Sequence, residues 1–221
     1  MILLDVLLDE PGPSPGEDAT LAQAMRQVGN VVLPATVVHT GVSGQAKGVV
    51  PLDLFASAAW AVGHTLLTES AADGVLRRLV LVPPPVGEAG FPQGSFAAIG
   101  AAALDGSATA AGGRRSSAAP QPGRHGRPGA QLIDFAGPAG TYFPLPARLF
   151  LEDQAAASLL AGRIVIVGSA LPESHDAFLS PFSSGGAEGM SGVEVQANCV
   201  AALLARRPLR TCGPTIILAA T

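Results

Sequence analysis

Charge is scarce in this chain, and so are aromatic rings and sulfur. Charged residues make up 14% of the 221, and the formal net charge is -4 with the histidines neutral. That balance excludes the broad basic surface that nucleic acid requires. The arginines at 114, 115, 124 and 127 fall in a Gly/Pro/Ser-rich segment and read as a solvated loop. Two cysteines, Cys199 and Cys212, are too few and too far apart for a structural metal site. Phosphate-loop glycines followed by Lys-Ser/Thr are missing, as is the G-x-S-x-G elbow of hydrolases. Nothing at the start reads as a basic leader with an apolar run. No cofactor and no metal is therefore expected.

What the chain does have is apolar bulk: 48% hydrophobic residues, enough for a well-filled core. Residues 2–8 read as a buried strand, with Asp5 in its middle and Asp9 at its exit. A proline-containing break follows. Then Leu21, Ala24, Met25 and Val28 recur at helical spacing, with Asp18 or Thr20 as cap and Gly29 or Asn30 as terminus. Residues 31–38 form a second strand, and Pro34 within it suggests an edge or a bulge. Strand, helix, strand in under forty residues is a βαβ unit and implies parallel pairing.

Residues 63–68 and 75–82 read as a hairpin around Ala72-Asp73-Gly74. Short helices are expected over 52–59, 95–104 and 155–160, and strands over 131–135 and 163–168. Residues 106–129 are low-complexity and read as a flexible surface insertion. Residues 193–204 are expected to be an amphipathic helix with Val193, Ala197, Val200, Ala201 and Leu204 on one stripe. The alternation predicts a layered α/β fold, with a mostly parallel or mixed central sheet and helices packed on it. One domain is expected over residues 1–210.

Ligands of open α/β sheets sit beyond the carboxyl ends of the strands. That rule collects Asp9, His39, Asp134 and Ser169, with His175 and Asp176 on the loop after the last strand. Glu194 and Asn198, four apart on one helical face, join them as candidate ligand-binding residues. Ser169 with His175 and a carboxylate has the residue types of a small α/β hydrolase, but lacks its elbow. Glu173, His175 and Asp176 do not make a metal site unaided, since neighbours on one loop rarely point to one centre. Arg77 and Arg78 face opposite sides of a strand, so one is expected to turn inward and pair with Asp134 or Glu194. The apolar run at 214–221, preceded by Arg206, Arg207 and Arg210, stops far short of the roughly twenty residues of a span. Residues 211–221 are read as the start of a transmembrane helix.

Several segments occur together in a fixed order: Ala72-Asp73-Gly74-Val75-Leu76-Arg77-Arg78, Ser95-Phe96-Ala97, Leu132-Ile133-Asp134-Phe135-Ala136-Gly137-Pro138, Ile164-Val165-Ile166-Val167-Gly168-Ser169, Asp176-Ala177-Phe178 with Ser180-Pro181, and Gly192-Val193-Glu194-Val195-Gln196-Ala197-Asn198. No one of them is specific; the ordered set resembles the class-two CHASE domain, CHASE2, over nearly the whole chain. The resemblance implies a non-catalytic extracytoplasmic (periplasmic) sensor domain of a receptor in the bacterial inner membrane, flanked by membrane helices. The receptor's output would be a nucleotide or diguanylate cyclase or a histidine or serine/threonine kinase. It implies a small molecule or periplasmic protein as partner, is compatible with a homodimer, and hands over no binding residues. The arginine cluster near 206–210 pulls against an external position, since such clusters favour the cytoplasmic side. A structural or protein-interaction domain without a ligand is the remaining alternative.

Overall fold

The computed structural model describes residues 1–40, 45–85, 90–104, 129–171, 176–183, 189–206 and 209. Its central sheet follows from the period-two burial of its strands. In β1 (Ile2–Asp5), Leu3 packs into one apolar cluster while Ile2 and Leu4 pack against another. In β2 (Val31–Thr40), Val32 shares the cluster of Leu3, and Val31 and Leu33 share that of Ile2 and Leu4. Alternating side chains thus give the sheet two buried faces, as a parallel sheet needs.

One face is covered by α1 (Pro15–Val28) and α2 (Asp53–Ala56), through Ala22, Met25 and Phe55. Helix α1 starts with Pro15 in its first turn and ends with the Gly29 N–H on the Met25 carbonyl. Neither Asp18 nor Thr20 caps it: the cap position is Ser14, Asp18 accepts from the Gly12 amide, and Thr20 donates to the Gly16 carbonyl. The other face is covered by α3 (Phe96–Leu104) and α6 (Gly192–Leu204), which also pack on each other. Helix α3 lies close because Gly63 has no side chain: a Cβ there would stand 2.7 Å from the Phe96 backbone.

The main sheet runs β3 (Gln45–Val49), β2, β1, β8 (Val165–Gly168), with β4 (Ala61–His64) also paired to β2. β1, β2, β4 and β8 are mutually parallel, and β3 is antiparallel to the outer half of β2. The chain leaves β1 toward β2 on one side and returns as β8 on the other. β1 is therefore the topological switch strand.

Pro34 is not at an edge, contrary to expectation; it pairs with Gly63 of β4. Two donors on the β4 side reach the Val31 and Ala35 carbonyls, so odd-numbered residues bond toward β4 and Pro34 faces β1. There the ladder has already ended at Leu3–Val32, and a missing N–H costs nothing.

A second sheet joins β5 (Leu67–Glu69), β6 (Leu76–Val80) and β7 (Ala130–Leu132), all antiparallel. The hairpin turns at Gly74, whose φ of 67° suits glycine. The expected strand over 63–68 is two strands, β4 in the main sheet and β5 in the second. Helices α4 (Arg148–Glu152) and α5 (Gln154–Ser158) precede β8; only the second was expected. A two-stranded ribbon of β9 (Ala177–Phe178) and β10 (Met190–Ser191) leads into α6. Arg77 does not turn inward: it makes a bidentate pair with Asp73 across the hairpin turn, at 2.9 and 2.8 Å. That pair holds the exposed Asp73 carboxyl well below the usual range.

The insertion from 106 to 128, Arg207, Arg210, Cys212 and the expected membrane segment 211–221 lie outside the described residues. Among those described, no helix is long and apolar enough to cross a membrane.

Candidate functional site

Where the four parallel strands end, a cleft of about 310 Å³ opens. Asp5 and Leu7 come from the end of β1, Pro34 and Thr36 from β2, Thr65 from β4 and Ser169 from β8; Asp176 closes it from the start of the ribbon. The cleft exists because β1 and β2 part after Leu3–Val32 and Pro34 offers no donor to continue the ladder.

Its charge is one-sided. Burial, and then the Asp176 carboxylate, push the Asp5 carboxyl up to about 6. Burial raises Asp176 as well. The Thr65 hydroxyl donates to the Ala35 carbonyl at 3.4 Å, and the Ser169 oxygen accepts from the Leu171 amide at the same distance. Asp176 is also bound to α6. Its carbonyl accepts from the Gly192 N–H at 2.9 Å, and its carboxylate occupies the space that a Cβ on Gly192 would need. One residue thus touches both the cleft and the first turn of the last described helix.

Of the residues expected at the site, Ser169 and Asp176 are brought together here. His175 lies outside the described residues. Asp9, His39 and Asp134 are exposed and do not line the cleft. The strand-end rule failed for them because the ends were misplaced. β1 stops at Asp5, four residues before Asp9. β2 leaves the parallel sheet at Ala35, and His39 sits on its antiparallel arm opposite Ala46. Asp134 follows a strand of the second, antiparallel sheet, where the rule has no force. Asp5, Thr36 and Thr65 were missed for the same reason.

Glu194 and Asn198 are buried on α6 and do not line the cleft either. The Glu194 carboxylate accepts from the Gly140 and Tyr142 amides at 3.0 and 3.1 Å. Asn198 accepts from the Ala136 amide at 2.9 Å, and its NH2 donates to the Glu194 carbonyl at 3.0 Å. Together they fasten residues 136–142 to the helix through part-buried bonds, those to Glu194 charge-assisted. The apolar stripe is accordingly shifted: Val200 is buried as expected, together with Val195, Cys199 and Ala202, whereas Val193, Ala197, Ala201 and Leu204 are only half-buried. Burial pushes the Cys199 thiol up, which leaves it inert.

A buried imidazole, His64, ends β4 with no exposure and stacks on Phe91 at 6.4 Å. Burial lowers it to about 4, and the Leu81 backbone offsets only part of that. Among the described residues no group of three metal-type side chains is assembled.

The CHASE2 domain model matches residues 1–220. The chain belongs to the CHASE2 family. That family is a sensory extracellular domain of signalling receptors, so membership supports a sensory rather than a catalytic chain on the extracytoplasmic side. No curated protein and no solved structure matches it.

Proposed function

We propose that this CHASE2 domain senses a small molecule in the strand-end cleft and reports occupancy through α6. The observation that carries the reading is the double contact of Asp176: it lines the cleft and sits on Gly192 at the start of α6. A ligand that moves Asp176 must move that turn or strain it. A ligand shifts such an equilibrium only by binding one position better than the other. The receptor would lie in the bacterial inner membrane, with a span beginning at 211–221 and a cyclase or kinase as its output.

Thermal unfolding against a panel of extracytoplasmic metabolites tests this, because a ligand of the folded state raises the melting point. At least one compound is expected to do so, and Thr36→Phe, which fills the cleft, to abolish the effect. A shift that survives Thr36→Phe places the site elsewhere; no shift across the panel removes the ligand-sensing reading.

A further inference from the structure

We infer that the cleft selects a small organic cation, a short aliphatic amine. This rests on the ligand-sensing reading of the same cleft and adds the chemical class. The charged lining consists of the Asp5 and Asp176 carboxylates, and the hydroxyls of Thr36, Thr65 and Ser169 stand beside them with oxygens that can accept. Among the described residues, no arginine, lysine or histidine lines the cleft. The two carboxylates repel each other, and an ammonium between them relieves that repulsion while making charge-assisted hydrogen bonds.

Two further features weigh against an anion. Strand-end clefts hold anions with free backbone N–H groups or a helix N-terminus. Here the backbone at Pro34 has no N–H to offer, and it faces the gap between β1 and β2. At the helix terminus beside the cleft, that of α6, the first N–H, Gly192's, is bound to the Asp176 carbonyl, and the Asp176 carboxylate, itself an anion, lies over the glycine. The space of about 310 Å³ is at the small end of organic-ligand sites and well beyond a bare ion. Leu7 and Pro34 give it an apolar wall for a short methylene chain.

Three probes of equal chain length separate the charge classes: putrescine, 1,4-butanediol and succinate. Melting points and titration calorimetry at pH 7.5 are expected to show saturable binding of putrescine only. Binding is expected to weaken tenfold or more in Asp5→Asn and in Asp176→Asn, with circular dichroism confirming that both variants fold. Succinate or butanediol binding as well as putrescine overturns the inference and leaves the cleft as a site of another class. Putrescine binding equally well to both variants, or none of the three binding, overturns it too. In that last case, a different panel compound whose effect Thr36→Phe removes keeps the sensory reading alive.

Discussion

Two titratable side chains, the half-buried Asp5 and the buried His64, are displaced in opposite directions, and their effects on stability oppose each other. Asp5 rises from 3.8 to about 6 on folding, so the native state holds its proton more tightly than the unfolded chain. Its contribution is fully present below about pH 4 and is lost as pH rises through 6. His64 falls from 6.5 to about 4, so its neutral form is the folded one. Its contribution is present above pH 6.5 and is lost as pH falls toward 4. The wild-type protein is therefore expected to show a shallow stability profile across pH 4–6.5. Asp5→Asn unmasks the histidine and makes stability rise with pH, while His64→Phe, which keeps the ring stack on Phe91, unmasks the aspartate and makes it fall. Each slope is expected to amount to about 1–3 kcal/mol over the window, with that of Asp5 at the lower end because the cleft it lines admits water. Urea titrations at half-unit pH steps measure it. Equal profiles for wild type and both variants would remove the two groups from the account.

At the scale of elements, α6 is held by polar groups as much as by its apolar stripe. Asn198→Ala strips the Ala136 amide of its acceptor in a part-buried bond, and Glu194→Gln presents an NH2 to an amide that can only donate. Each is expected to lower stability by about 2–3 kcal/mol, read as a drop in the urea midpoint at unchanged slope. Val193, a half-buried position, gives the scale: Val193→Ala should cost about 1 kcal/mol or less. This face also shows where sequence reasoning stops. Helical spacing found α6 within one residue, yet the stripe came out rotated, because periodicity counts apolar residues and cannot see that Glu194 and Asn198 are buried while accepting from loop amides. The hairpin at Gly74 was legible from its turn chemistry alone. The division of residues 63–68 between two sheets was not, since no turn residue separates His64 from Leu67. The site followed the same pattern. Ser169 and Asp176 were found by a rule about strand ends, and Asp5 was missed only because a run of aliphatic residues hides where pairing stops. Pairing is a property of two strands, and one strand's composition does not record it.

At the scale of the whole molecule, the cleft and the last helix are joined through the β9–β10 ribbon. α6 packs on α3, β8, β9 and β10, so it touches both the central sheet and the ribbon that carries Asp176. Charge in the cleft should therefore be felt at the start of α6 and not across the sheet at α1, whose core cluster is separate. Asp5→Asn removes the repulsion on Asp176 and lets its carboxylate settle over Gly192. Amide exchange at pH 7, corrected for intrinsic rates, is expected to slow several-fold more at residues 190–194 than in α1, which follows global stability alone. Gly192→Ala is the counterpart: its Cβ displaces the Asp176 carboxylate, so exchange at the same residues should quicken and should no longer respond to Asp5→Asn. Coupling of this kind is a difference between a single and a double variant, and the cycle measures it directly. Slowing spread evenly over α1 and α6 would mean that Asp5 acts on global stability alone, and the route from cleft to helix would then have to run through some residue other than Asp176.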